Sequence, residues 1–110
     1  MGVQVSDDRV LDFKARIFKV IGDPNRLKIL EILRHGEICQ CELIPIIGQA
    51  QPTVSRHLKL LEDAGLISST KDSTRMLYRI VDSHIFSLMD AIDTNMMELV
   101  SLELAKKYSI

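Results

Sequence analysis

Two cysteines one residue apart, in Cys39-Gln40-Cys41, lie a short way ahead of the stretch Gln51-Pro52-Thr53-Val54-Ser55-Arg56-His57-Leu58-Lys59. Thiolates are soft ligands suited to Cu(I), Zn(II), Cd(II), Pb(II) or trivalent arsenic, and a helix N-terminus close by favours thiolate over thiol. So tight a loop strains a disulfide, and the pair reads as free thiols available for chemistry. The later stretch gathers small hydroxyls and long cations, which hydrogen-bond base edges and neutralise phosphate. Soft-ion or redox chemistry therefore stands beside a surface suited to nucleic acid.

Each half of that reading carries a geometric condition. Residues two apart on a regular helix point about 200° away from each other, so Cys39 and Cys41 converge on one ion only if Cys39 precedes the helix. Gly36 and the non-helical approach permit this. On the later stretch, taking Val54 as the inward direction puts Leu58 and Leu61 within about 40° of it. Pro52, Arg56 and Lys59 then gather on the opposite side, flanked by Thr53 and Ser55. The candidate DNA-contacting residues are Gln51, Thr53, Ser55, Arg56, His57 and Lys59, with Lys71 and Arg75 from the segment that follows. Of these His57 lies toward the core side. The plainer alternatives are a solvated polar helix face and two cysteines packed as small apolar residues.

The surrounding pattern supplies elements to hold these groups. Val10, Phe13, Ile17 and Ile21, with Leu11 and Phe18 beside them, predict an amphipathic helix over residues 8–21, ended by Gly22. Asp23 then caps a second helix with Pro24 at its first position and a stripe of Leu27, Leu30 and Leu33, stopped at His35-Gly36. A short helix over 41–47 takes Pro45 within roughly its first turn. After Gly48-Gln49-Ala50, a fourth helix runs over 51–64, with Gly65 left-handed beyond its end. Two helices joined by so short a turn have the layout of a helix-turn-helix spanning 41–64. Leu66-Ile67-Ser68-Ser69-Thr70 and Arg75-Met76-Leu77-Tyr78-Arg79-Ile80 predict a β-hairpin wing over 66–80. From Asp82, the residues Ile85, Leu88, Met89, Ile92, Met96, Leu99 and Val100 predict a long last helix over 82–107. Its stripe is too long for one small domain to cover and calls for another subunit.

Composition narrows the class. A chain of 110 residues with 46% hydrophobic content fits a single domain spanning 1–110, of which 1–7 is expected to be flexible. No apolar run reaches the roughly 18 residues of a membrane span, and Met1-Gly2-Val3-Gln4 opens with neither a basic start nor an apolar signal core, so the expectation is a cytoplasmic protein with no membrane partner. Net charge is −1, yet between Ala50 and Arg79 five basic residues stand against three acidic ones. No Ser-His-Asp arrangement, Gly-rich phosphate loop or carboxylate pair points to an enzyme. A thiol oxidoreductase fits poorly, because Cys-x-Cys lies outside any βαβ pattern. A winged helix used only for protein contacts would show no salt-sensitive affinity for duplex DNA.

Residues 37–80 resemble the winged helix-turn-helix of the ArsR/SmtB metalloregulatory repressors, through Glu-Ile-Cys-Gln-Cys-Glu-Leu and then Gln-Pro-Thr-Val-Ser-Arg-His-Leu-Lys-Leu-Leu-Glu-Asp-Ala-Gly-Leu-Ile. The likeness extends upstream to Gly22-Asp23-Pro24-Asn25-Arg26 and so covers most of the chain. It implies a mainly α fold with a small β-hairpin and a homodimer built on the first and last helices. Such a dimer binds double-stranded DNA at an inverted-repeat operator and represses transcription until a thiophilic metal or metalloid relieves it. Ala50 stands where the family often has a capping Ser, and the wing loop lacks its usual Gly. The family's arsenic-type site commonly adds a cysteine where this chain has Ile44, and its cadmium- or lead-type site borrows one from the N-terminal segment, which has none. A third donor would then be His35, Glu37, Glu42, a partner-chain residue or a small thiol, unless two sulfurs suffice. The alternative is a redox-responsive repressor using the same cysteines without metal. A second family site, Asp-x-His with two later ligands, falls on Asp82, His84, Asn95 and Glu98, where Asn is a weak zinc ligand.

Overall fold

The computed structural model describes residues 2–108. Helix α1 (Asp8–Ile21) starts where the Asp7 carboxylate accepts the Arg9 N–H at 2.8 Å. Helix α2 (Pro24–Leu33) starts at Asp23, whose carboxylate accepts the N–H groups of Asn25 and Arg26 at 2.8 and 3.2 Å. Proline at the first helical position loses nothing there, because its missing N–H would have no intrahelical partner. The expected inward stripe of α2 is shifted: Ile29, Leu30 and Leu33 are buried, whereas Leu27 is exposed. On α1 only Ile17 and Ile21 are buried, and Val10, Leu11, Phe13 and Phe18 remain exposed.

A two-residue strand, β1 (Ile38–Cys39), leads into α3 (Gln40–Ile47), the turn 48–50 and α4 (Gln51–Asp63). Gly48, at φ 76°, occupies the left-handed region and donates to the Ile44 carbonyl at 3.0 Å. Pro45 is the sixth residue of α3 and lies beyond the first turn where the spacing predicts it, so the Cys41 carbonyl lacks its usual i+4 donor. Ala50 offers no side-chain cap to α4. At the far end Gly65, with φ 80°, closes α4: Leu66 N–H bonds the Leu61 carbonyl at 3.1 Å and Gly65 N–H bonds Glu62 at 2.9 Å, a Schellman closure.

Strands β2 (Ile67–Asp72) and β3 (Arg75–Ile80) form the expected antiparallel wing, with Lys71 opposite Met76 and Asp72 opposite Arg75. With no glycine in its loop, the wing turns through Ser73 at φ 59°, a left-handed conformation that a non-glycine residue adopts at a cost. The sheet has a third strand the sequence pattern does not announce. Its order is β1-β3-β2, and β1 places Cys39 opposite Leu77. Fold class is thus mainly helical with a small antiparallel sheet: a winged helix-turn-helix.

The single last helix expected over 82–107 is two, α5 (His84–Ala91) and α6 (Thr94–Tyr108). Ile92 is extended at φ −91°, ψ 90°, and the Asp93 carboxylate accepts the Met96 N–H at 2.9 Å, capping a new helix in place of continuing the old one. Helix α5 is tied to α2 by Arg34, whose guanidinium meets Asp90 at 2.7 and 2.9 Å and stacks over the Phe86 ring at 4.6 Å. The core joins Ile17 and Ile21 to the buried residues of α2, Leu43 and Ile47 of α3, Val54, Leu58 and Leu61 of α4, Ile67, Tyr78 and Ile85. Among the described residues no helix is long and apolar enough to cross a membrane.

Candidate nucleic-acid interface and cysteine pair

Helix α4 is fixed on the core by Val54, Leu58 and Leu61, all fully buried, and this sets which side chains face outward. Gln51, Arg56 and Lys59 are exposed, and Thr53 and Ser55 are half-buried at the edge of the same face. Lys71 and Arg75 are exposed on the wing. Lys59 meets Asp63 at 3.6 Å and Arg75 meets Asp72 at 3.3 Å, both on the surface. Surface ion pairs of this kind are worth about 0–1 kcal/mol, so these cations exchange a carboxylate for a phosphate at little cost. The arrangement offers fixed donors and mobile positive charge on one side of one helix, flanked by a basic hairpin.

His57 does not belong to that face. It is 4% exposed, and its Nδ1 accepts a hydrogen bond from Arg26 Nε at 3.2 Å. Three residues after Val54, it returns to the core side of the helix, which places it over the start of α2. Arg26 also donates to the Val20 carbonyl at 2.8 Å, so one guanidinium joins the end of α1, the start of α2 and, through His57, helix α4. Asp23 sits beside this group. Partial burial pushes its carboxyl up, but the backbone donors of Arg26 and Asn25, with the positive charge nearby, outweigh burial and hold it below the usual range. The sequence marks Asp23-Pro24-Asn25-Arg26 as a helix start, while the second task of Arg26 shows only once α4 is docked.

The cysteines meet the condition set for them. Cys39 is extended at φ −74°, ψ 142° and stands as the N-cap of α3, while Cys41 is already helical. The chain turns between them, their Cα atoms lie 5.2 Å apart, and both sulfurs fall on one side. The structure joins them as a disulfide, where the sequence reading expects free thiols. The loop is small, but the switch from extended to helical backbone across Gln40 brings the sulfurs together. Cys39 is 2% exposed and Cys41 is exposed, so the pair is reached from one side. Cys39 Sγ also accepts the Cys41 N–H at 3.1 Å, serving as the helix cap.

No third ligand stands with them. Among the described residues no three His, Cys, Asp or Glu side chains gather in a cluster able to hold a metal, which sets aside His35, Glu37 and Glu42 as ready-placed donors. Glu37 instead lies 4.0 Å from Arg79. Once reduced, the two sulfurs at a helix N-terminus could hold a thiophilic ion of low coordination number. The second candidate site is not assembled within the chain either. Asp82 and His84 are bonded to each other at 2.6 Å, and the break at Ile92 and Asp93 puts Glu98 and Asn95 on a different helix. The His84 backbone N–H, then its ring, holds the Asp82 carboxyl below its ordinary value.

One contact was invisible in the sequence. Gln40, between the cysteines, donates from Nε2 to Ser55 Oγ on α4 at 2.6 Å.

The family model for bacterial regulatory proteins of the arsR family matches residues 23–69. An uncharacterized HTH-type transcriptional regulator of Methanocaldococcus jannaschii is 40% identical over 80 residues, covering 72% of this chain and 90% of the relative. The arsenical resistance operon repressor of Staphylococcus xylosus is 39% identical over 80 residues, 73% of each chain. Among solved structures, a homodimeric winged helix-turn-helix DNA-binding domain of Mycobacterium bovis superposes with a TM-score of 0.65 at 28% identity, covering 100% of this chain and 94% of that one.

Proposed function

Because the chain belongs to the ArsR/SmtB family of winged helix-turn-helix transcriptional repressors, we propose that it acts as a homodimer on an inverted-repeat operator and is released when a thiophilic metal or metalloid binds Cys39 and Cys41. The single observation that carries this reading is the convergence of the two sulfurs at the start of α3, which packs against the recognition helix α4 and against β3 of the wing. The whole chain works as one domain, with the helix-turn-helix in α3–α4 and the dimer formed by the apolar faces of α1 and the last helices.

On DNA, two copies of α4 enter successive major grooves about 34 Å apart. Arg56 is placed to read guanine, Thr53, Ser55 and Gln51 to bond base edges or phosphate, and Lys59, Lys71 and Arg75 to neutralise the backbone. An arsenite-like metalloid heads the effector class, since a relative of similar sequence is an arsenical resistance operon repressor; Cd, Pb, Zn and Cu(I) share its preference for sulfur. The ion supplies bonds that hold the two sulfurs in one fixed relation. The disulfide must first be opened by exchange with two equivalents of a cellular thiol, which leave joined as their own disulfide while the pair takes up two electrons and two protons to become the dithiol that binds.

A duplex pool with a randomised centre, enriched by the reduced full-length protein, should converge on an inverted repeat, and arsenite should release the protein from it. Cys39→Ser with Cys41→Ser should bind the same duplex and resist release. Enrichment without symmetry would remove the dimeric operator reading. Release that persists in the double variant would place the effector elsewhere, and release by an oxidant alone would favour the redox reading over the metal.

A further inference from the structure

Gln40 is the first residue of α3, directly after the capping Cys39, and its amide is bonded to Ser55 in the second turn of α4. Among the described residues this is the one side-chain hydrogen bond joining the two helices of the helix-turn-helix. We propose that Gln40 is the positioning residue through which occupancy of the cysteine pair reaches the DNA-reading face. This rests on the reading of Cys39 and Cys41 as the effector site.

A serine hydroxyl has one proton and two lone pairs, so Ser55 Oγ, receiving the Gln40 N–H, keeps its own proton free to donate outward to a base or phosphate acceptor. Ser55 lies between the fully buried Val54 and the exposed Arg56, where a small shift of its hydroxyl changes what the adjacent groove meets. The position of Gln40 depends in turn on Cys39, whose Sγ caps the first turn of α3 by accepting the Cys41 N–H at 3.1 Å. Exchanging the sulfur–sulfur bond for two sulfur–ion bonds shifts Sγ relative to the Cys41 N–H it caps. Pro45 has no N–H for the Cys41 carbonyl, so this end of α3 has one backbone bond fewer than a regular helix. On the other side, Cys39 is fixed to the wing by its pairing with Leu77, so the widening of the pair when an ion replaces the sulfur–sulfur bond is taken up on the Gln40 side. The Gln40–Ser55 bond is the element that breaks, and Ser55 is left without the partner that orients it.

The test uses the reduced full-length protein, arsenite as the probe, and the inverted-repeat duplex selected above. Each As–S bond forms as a thiol proton leaves with an arsenic-bound hydroxide as water, and thiolate absorption reports that both sulfurs are engaged. The readout is the ratio of operator affinity without and with saturating arsenite, so any change in metal-free affinity cancels. Wild type should show a ratio of about ten or more, within the usual range of allosteric coupling. Gln40→Met, which keeps length but cannot donate, and Ser55→Ala, which removes the acceptor, should each bind arsenite with wild-type stoichiometry yet show a ratio of about three or less, and the two together no less than either alone. Wild-type ratios in both variants would overturn the relay while leaving the cysteine site standing. If arsenite leaves wild-type affinity unchanged, or still releases the variant without cysteines, the effector reading falls and the relay falls with it.

Discussion

Helices α4 and α6 both carry apolar residues at helical spacing, and the chain treats them in opposite ways. In α4, Val54, Leu58 and Leu61 are sealed against the other helices and the wing. In α6 no residue is buried; Leu99 and Leu102 are each 61% exposed and Met97 60%. A stripe of apolar side chains announces that something covers it, but not whether the cover comes from the same chain. The α4 stripe completes the core and thereby fixes the orientation of its polar face. On the reading proposed above, the α6 stripe, with exposed Phe13 and Phe18 of α1, is the face for a second copy.

That contrast is open to breakage from either side. The largest effect is expected from Leu99→Glu with Leu102→Glu: sedimentation should show a monomer, and operator affinity should fall about a thousandfold as the second half-site contact is lost. The cooperative unfolding of α2–α4 should survive, and its collapse would mean that α6 completes the protomer core. Leu58→Ala should act in the opposite place, costing about 3 kcal/mol of stability in a denaturant titration, as expected for a leucine removed from a closed core. A loss below about 1 kcal/mol would show α4 less firmly seated than its burial indicates. On the outer side of the same helix, Arg56→Ala should leave stability unchanged and weaken operator binding about tenfold per half-site, measured by anisotropy. The smallest effect concerns the tie just before the chain leaves the core. Hydrogen bonds from Arg34 hold the Asp90 carboxyl below its ordinary value of 3.8. A depressed carboxylate adds stability that is fully present above that value and is lost as pH falls through the lower folded one. Thermal melts should therefore show Asp90→Asn less stable than wild type at pH 7 and less sensitive to acid below pH 3.8.

Much of this was legible in the sequence where local signals agree. The Asp23 cap, Pro24, Gly48 and Gly65 mark boundaries by their own chemistry, and the 3.6-residue period of α4 assigns Arg56 and Lys59 to the surface. The same period already turns His57 inward, against its place among the candidate DNA-contacting residues. Signals carried by partners distant in sequence were not legible. Strand β1 is two residues long and exists only because β3 pairs with it. Arg26 finds His57, and Gln40 finds Ser55, only after α4 has docked. The break before α6 lay between these cases: Asp93-Thr94 is a readable cap, but the apolar spacing runs straight through it.

The central claim, that the cysteine pair and the operator compete for one conformation of α3 and α4, is tested most directly by reciprocity. Arsenite affinity should be measured on the free reduced dimer and on the dimer held by its operator. Coupling requires that DNA weaken arsenite binding by the same factor by which arsenite weakens DNA binding. The account predicts equal factors of about ten or more, abolished together in the variant without cysteines. Equal arsenite affinity for free and DNA-bound protein would contradict it.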